Sequence, residues 1–358
     1  MNKIAIMTAG GDCPGLNSII KTVVMSAHKK NIKVLGIMDG YIGFVEKKYM
    51  VLNEKVVEDI ENIGGTILGS SNKECPFHYP SKIKEGEYED KVKDSVDSLK
   101  NLGVEGLIVI GGDGTLDSAR VIHEAGLPAV GIPKTIDNDM SASNPTIGFD
   151  TAVETAVEAI RKIRTTASSH RRVAVVEIMG RTSGYLTLHS GFASGADIIL
   201  LPEQEYDLDI VINKIKTVLN SGKRFCIIAM SEAAKQKGKE EIISKVISDS
   251  FEQKRYGGAS VVLAEKIEEL TGYESRSTIL GHIQRGGEPS TSDIILAARL
   301  GEYALELLIN NEAGHIVGVS NYNLTKMKFP KDRVPRILDL QIDDLVKTAR
   351  NMGICFGD

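Results

Sequence analysis

The sequence predicts an α/β protein whose mainly parallel sheets are covered by helices on both faces. Two observations carry this expectation. Short, strongly apolar runs alternate with helical patterns along the chain. Several runs then end in turns rich in glycine and acid, where open parallel sheets bind ligands. With 358 residues there is room for one large or two medium domains.

The elements follow in order. Ile4 to Met7 reads as a buried strand running into TAGGDCPGLN, Thr8 to Asn17. Leu16 to His28 places apolar residues three and four apart, as a helix on a core requires. Val34 to Met38 is the next strand. Asn72 to Asp90 is polar and contains proline, so it reads as a loop, while Glu89 to Leu102 is amphipathic and helical. Gly106 to Ile110 and Ala129 to Ile132 are short apolar strands, each followed by a turn bearing acids. Ala152 to Ile163 and Ile210 to Leu219 read as helices; Val173 to Ile178, Ile198 to Leu201 and Phe225 to Met230 read as strands. Lys235 to Glu241 is a charged run expected to project into solvent.

Composition excludes several classes. The 42% hydrophobic and 25% charged content is that of a soluble globular protein, and no apolar run is long enough for a bilayer. The start, MNKIAIMTAGG, has the pattern of a strand entering a glycine turn, not of a signal peptide. A net charge of −5 argues against a general nucleic-acid surface. Cys13, Cys75, Cys226 and Cys355 form no CxxC pair and read as reduced thiols of a cytoplasmic protein. Without tryptophan, and with 5% aromatics, the core must be aliphatic.

Two turns carry the chemistry. GGDGT, Gly111 to Thr115, brings three glycines and an acid to a strand end. Gly111 and Gly112 allow backbone to approach a phosphate chain, Gly114 keeps the site open, and Asp113 can hold Mg²⁺ directly or through water. PKTIDND, Pro133 to Asp139, adds Lys134 and Thr135 as donors to a transferring phosphate, and Asp137 and Asp139. Those two carboxylates would face the same way on an extended backbone. Their repulsion raises the pKa of one, which makes it a candidate proton acceptor. The plain alternatives are a tight turn with an aspartate cap and a solvated acidic turn. TAGGDCPGLN is a third phosphate-type turn, although it lacks the Lys-Ser/Thr ending of a Walker loop and the spacing of GxGxxG. Arg171, Arg172, Arg181, Arg276 and Arg285 lie near strand or loop junctions, where a planar guanidinium can grip phosphate or simply pair with a surface acid. Together these features point to phosphoryl transfer.

The ordered set TAGGDCPGLN, DGYIGF, GGTILGS, GGDGT, PKTIDND, TIGFDTA, SSHRR, VEIMGR and LGHIQRGG resembles the 6-phosphofructokinase family, from Ile4 to about Leu308. Lipid and NAD kinases are similar around GGDGT only. The resemblance implies two doubly wound domains with an active-site cleft between them. The donor (ATP/Mg) domain would be residues 1–144 plus about 287–333, and the sugar-phosphate domain about 145–286 plus 334–358. It implies transfer of the ATP γ-phosphoryl group to the 1-hydroxyl of fructose 6-phosphate, with Mg²⁺, in a cytoplasmic homotetramer. Residue by residue, Asp137 matches the general base, Asp139 its neighbouring carboxylate, Thr135 a threonine beside the transferred phosphate, and Arg181 the arginine beside the acids. Asp113 matches the Mg²⁺-linked aspartate. Gly11, Tyr41, Gly112 and Gly114 match the nucleotide and phosphate cradle, to which Thr115 and Lys134 are added. Met179, Gly180, Glu232, His282 and Arg285 match the sugar-phosphate pocket. Arg172 and Arg276 match arginines that reach the sugar 6-phosphate from a neighbouring subunit.

The chain departs from the family pattern at three places. Pyrophosphate-using members resemble GGDD or GGED with the lysine of PKTIDND, whereas short bacterial ATP enzymes resemble GGDG with PGTIDND. Gly114 with Lys134 is therefore a mixed pattern. A carboxylate at 114 would crowd and repel a nucleotide α-phosphate, so its absence favours ATP over pyrophosphate. Asn72 stands where the family usually has an arginine, with Lys73 after it, and Ser118 stands where ATP-using members often carry glycine. A non-catalytic sugar-phosphate-binding paralogue would be expected to lack Asp113, Asp137 or Asp139, and all three are present.

Overall fold

In the computed structural model, residues 1–71, 75–81, 86–246, 254–332 and 335–358 are described here, with main chain alone for 244–246 and 254–255. Asn72 and Lys73 lie outside them.

The N-terminal half gives β1 (Lys3–Thr8), α1 (Leu16–Lys29), β2 (Lys33–Ile37), α2 (Tyr41–Glu46), β3 (Tyr49–Leu52), β4 (Tyr79–Pro80), β5 (Tyr88–Glu89), α3 (Val92–Asn101), β6 (Gly106–Gly111), α4 (Asp113–Glu124) and β7 (Ala129–Pro133). The middle gives α5 (Phe149–His170), β8 (Val173–Ile178), α6 (Tyr185–Ser194), β9 (Ile198–Leu200), α7 (Leu208–Asn220), β10 (Cys226–Ser231), β11 (Ile243–Val246), β12 (Lys254–Tyr256), α8 (Ala259–Thr271) and β13 (Ser275–Ile279). The chain closes with α9 (Thr291–Ile309), β14 (His315–Ser320), β15 (Asn323–Lys328) and α10 (Asp344–Asn351).

The strands form two main sheets. One has the order β15-β14-β7-β6-β1-β2-β3, parallel in its centre and antiparallel at both edges. The other has the order β13-β8-β10-β9 and is parallel throughout. Central strands are apolar on both faces because helices cover both. All six residues of β6 and all six of β8 are buried.

The strand assignments from the apolar runs agree with the structure to within a residue or two at each end. Helix bounds moved more. The third helix begins at Val92, not Glu89, because Tyr88 and Glu89 pair with Tyr79 and Pro80 as a small hairpin. The span read as a loop therefore contains that hairpin. The helix expected at Ala152 to Ile163 runs from Phe149 to His170. Its start is fixed by Asp293, whose carboxylate accepts from Gly148 N at 2.8 Å and Thr151 N at 2.9 Å. The charged run at Lys235 to Glu241 is mostly exposed but anchored, since Tyr206 N donates to Lys235 O and Lys237 N to Tyr206 O, both at 2.9 Å.

Candidate active site

Two sets of adjacent parallel strands present their carboxyl ends to one cleft. In the larger sheet β7, β6 and β1 are neighbours, so the turns after Pro133, Gly111 and Thr8 lie side by side. In the smaller sheet β13, β8 and β10 are neighbours, which groups the turns after Ile279, Ile178 and Ser231. The cleft, of 330 Å³, is lined from the first set by Gly10, Gly11, Asp12, Gly112, Asp113, Gly114, Thr115, Lys134, Thr135, Asp137 and Asp139. Arg181, Thr182 and Arg285 line it from the second set, with Tyr41, Ser71, Ile136, Met140 and Pro335 completing the wall.

The glycine turns are held from several sides. Gly10 N donates to Ser71 O at 2.9 Å, and Ser70 Oγ donates to Gly10 O at 2.5 Å. Lys134 Nζ donates to Gly11 O, joining the turns after β7 and β1. Gly11 has a steric reason to be glycine: a Cβ there would stand 2.8 Å from an Arg285 Nη1, so the guanidinium lies against bare backbone. Tyr41 OH donates to Thr115 O at 2.6 Å, fixing the ring beside the first turn of α4. Ser118 Oγ donates back to Gly114 O at 3.3 Å and is fully buried.

The two acids of PKTIDND meet by a turn and not by strand alternation. Asp137 N donates to Thr135 Oγ1 at 3.2 Å, and Asn138 has φ 53°. Thr146 stabilises this turn, with N donating to Asn138 Oδ1 at 3.0 Å and Oγ1 to Thr135 O at 2.7 Å. Arg336 N donates to Asp139 O at 2.6 Å, so the C-terminal segment clamps the same turn. Burial first, then the charges of Asp137 and Asp113, push the Asp139 carboxyl up to about 7, while Arg181 pulls the other way. Repulsion was expected to raise the pKa of one of the two aspartates, and Asp139 is raised.

The remaining residues from the sequence reading fall into two groups. Met179, Gly180, Glu232 and His282 stand beside the cleft without lining it. Gly180 N donates to Glu232 Oε1 at 3.4 Å, and Met179 N to Gln284 Oε1 at 3.4 Å. Burial, then the Asp137 charge, raises the Glu232 carboxyl to about 7 against the Gly180 N–H and Arg181. Arg172 and Arg276 are not brought to this cleft. Arg172 precedes β8, so it sits at the opposite end of a six-residue strand, on the order of 20 Å from Met179. Both arginines instead pair with Glu274, at 2.7 Å and 2.5 Å.

Several cleft residues were not singled out from sequence. Gly10 and Asp12 stood within TAGGDCPGLN and were legible there. Pro335 carries no local signal; it lines the cleft because Met140 and Pro335 form a bridge pair. Cys13, in the same turn, is fully buried, and that burial drives its thiol up to about 12, away from the thiolate form.

Among the described residues no group of three or more His, Cys, Asp and Glu forms a preformed metal cage. Asp113, Asp137 and Asp139 nonetheless gather negative charge in one cleft. That suits a divalent ion carried by substrate phosphates, which needs only one or two protein carboxylates plus water.

Comparison with known proteins agrees with this geometry. The family model described as phosphofructokinase matches residues 3–308. The chain is 43% identical to ATP-dependent 6-phosphofructokinase 2 of Clostridium perfringens, covering all of this chain and 99% of the relative. It is 42% identical to the pyrophosphate–fructose 6-phosphate 1-phosphotransferase of Dictyoglomus thermophilum, covering 90% of each. Phosphofructokinase from Saccharomyces cerevisiae superposes with a TM-score of 0.79 at 28% identity, over 92% of this chain and 45% of that one. A pyrophosphate-dependent phosphofructokinase from Nitrosospira multiformis superposes at 0.81 with 17% identity, over 100% and 93%, a likeness of fold.

Proposed function

The chain belongs to the phosphofructokinase family, and we propose that it transfers the γ-phosphoryl group of ATP to the 1-hydroxyl of fructose 6-phosphate, giving fructose 1,6-bisphosphate. One observation carries this reading. Asp113, Asp137, Asp139, Lys134, Arg181 and Arg285 converge on a single cleft at the carboxyl ends of parallel strands from both sheets. Phosphoryl transfer asks little else of a protein than in-line positioning and neutralisation of charge.

The roles divide by chemistry. Asp137 accepts the proton of the attacking hydroxyl, which is a poor nucleophile unaided. Asp139 stands beside it, its carboxyl raised to about 7 by burial and by the charges of Asp137 and Asp113. Lys134, Thr135 and Arg181 donate to the transferring group, and the backbone of Gly11, Gly112, Gly114 and Thr115 with Tyr41 cradles the nucleotide. Met179, Gly180, Glu232, His282 and Arg285 receive the sugar phosphate, Glu232 accepting from its hydroxyls. Mg²⁺ bound to the phosphates would be held by Asp113 and would offset their charge when present.

Gly114 supports ATP as donor, since an acidic side chain there would meet the α-phosphate. Lys134 belongs to the pyrophosphate pattern, and a pyrophosphate-dependent relative at 42% identity keeps that donor as the second reading. We divide the chain into a donor domain, 1–144 with about 287–333, and an acceptor domain, about 145–286 with 334–358. The membership of β14 and β15 in the larger sheet and the bridge between Ile198 and Cys355 support this division. The remoteness of Arg172 and Arg276 from their own cleft supports an acceptor site completed by a second subunit, and we assign a homotetramer. We place the enzyme in the cytoplasm, in keeping with four unbridged cysteines.

The test is the rate of fructose 1,6-bisphosphate formation from fructose 6-phosphate and Mg²⁺, with ATP and pyrophosphate in parallel. Turnover with ATP alone supports Gly114 as the donor-setting residue. Turnover with pyrophosphate alone overturns it in favour of Lys134.

A further inference from the structure

Glu177 lies on β8 two residues before Met179, is 2% exposed, and does not line the cleft. Its carboxylate is held by hydrogen bonds. Oε1 accepts from Gly258 N at 3.0 Å, and Oε2 accepts from Ser260 N at 2.9 Å and Ser260 Oγ at 2.8 Å. Ser260 Oγ also lies 2.7 Å from Ser277 Oγ on β13. A hydroxyl has one proton, so Ser260 spends it on the carboxylate and accepts from Ser277. A buried carboxylate is tolerated only when its lone pairs are met in this way, and the start of α8, at Gly258 to Ser260, supplies main-chain donors of the right polarity.

The strand position of Glu177 gives this cluster its reach. Its carbonyl accepts from Leu280 N at 3.0 Å, and it stands in register with Met230 of β10 and Ile279 of β13. Met179–Arg181, Glu232 and the Gly281–Arg285 turn all leave the sheet just beyond this one level. The ties from one turn to another are long, both at 3.4 Å, and Gly180 has φ 128°, whereas the short ties run to strand ends: Ser231 Oγ of β10 donates to Gly180 O at 2.6 Å, and Glu232 N donates to Ile178 O of β8 at 2.8 Å. These turns are therefore spaced mainly by the strands beneath them.

We propose that Glu177 is a positioning residue for the acceptor half of the site. By bonding Gly258 and Ser260 it locks α8 across β8 and β13 and sets the spacing of Met179–Arg181, Glu232 and His282–Arg285 around fructose 6-phosphate. This rests on the phosphofructokinase reading above. The test is steady-state kinetics of Glu177→Gln and Ser260→Ala beside the wild type, with melting temperatures. Glu177→Gln keeps the volume but turns an NH₂ toward at least one existing N–H donor. The KM for fructose 6-phosphate rises about tenfold, with the KM for ATP unchanged and kcat within about threefold. Ser260→Ala removes the hydroxyl's bonds to Glu177 and Ser277 but leaves the main-chain donors in place; it raises the same KM about threefold, and it decides the matter alone if the first variant does not fold. A lowered melting temperature with an unchanged fructose 6-phosphate KM reduces Glu177 to packing and overturns the assignment. A wild-type chain that forms no bisphosphate with either donor overturns the functional reading itself.

Discussion

The ammonium of Lys134 donates a hydrogen bond to the carbonyl oxygen of Gly11, so a single cation binds the acidic turn after β7 to the glycine turn after β1. Lys134 is 5% exposed, and its main-chain N donates to Gly111 O at 3.0 Å, which brings the third turn into the same assembly. Lys134→Met keeps the stem and removes the charge. It leaves the Gly11 carbonyl without this donor, at a cost of about 1–3 kcal/mol in urea unfolding. It also removes a donor to the transferring phosphate, for a fall in kcat of roughly 10²-fold. A variant with normal kcat would confine Lys134 to holding the turns together.

Asp137 is held by a turn in which its own N–H donates to Thr135 Oγ1 and its carbonyl accepts from Ser183 Oγ at 3.3 Å, both main-chain bonds that a substitution of its side chain keeps. Asp137→Ser should leave this turn intact. The expected loss is on the order of 10²–10⁴ in kcat with little change in either KM, measured by initial rates with ATP. Near-normal turnover would remove Asp137 as the base.

Asp139 and Glu232 give the ligand-free protein a pH dependence of known sign. Burial and neighbouring charge push both carboxyls up to about 7 in the fold, well above the 3.8 and 4.5 of freely solvated aspartate and glutamate. Between those limits the folded chain holds protons that the unfolded chain has lost. Stability from these groups therefore falls as pH rises through that window, instead of increasing as it does for an ion-paired carboxylate. Asp139→Asn escapes the penalty. Its melting temperature relative to wild type should be higher at pH 8 than at pH 5, and a pH-independent difference would contradict the assignment.

Parallel strands and the turns after them were legible because buried central strands are apolar almost throughout, Glu177 of β8 being an exception, and ligand-binding turns are rich in glycine and acid. Gly112, Asp113, Lys134 and Asp137 could be read in that way. The edge strands β3 and β15 were not: β15 is half polar, and β3, though apolar, is only four residues long with Leu52 alone buried. The way Asp137 and Asp139 converge was also hidden. It depends on the φ of Asn138 and on Thr146, which donates from outside the motif. Pro335 and Arg336 reach the site across nearly the whole larger sheet in sequence, and no local pattern announces a contact of that range.

Gly114 sits in the first turn of α4, one residue after Asp113. Gly114→Asp adds a second carboxylate at a helix start that would otherwise favour the nucleotide's phosphates. ATP turnover should fall by at least about tenfold, while pyrophosphate, with no α-phosphate or nucleoside to displace, is less affected. The ratio of kcat/KM for the two donors is the measurement. An unchanged ratio would move donor choice away from position 114.

Arg276 lies near the start of β13, at the end of the strand away from the cleft that Asp137 lines, and that separation can be tested by mixing. Arg276 is 56% exposed and pairs at the surface with Glu274 and Glu268. If it serves the cleft of a neighbouring chain, Arg276→Ala and Asp137→Ser are each inactive alone for different reasons. In a mixed pair, one site combines both lesions and the other combines the intact Asp137 of one chain with the intact Arg276 of its partner. Random exchange of equal amounts should then restore about a quarter of wild-type turnover, since half the pairs are mixed and half their sites are whole. Activity that stays at the sum of the two separate variants, in a preparation shown by mass to contain mixed oligomers, would place the complete acceptor site within one chain.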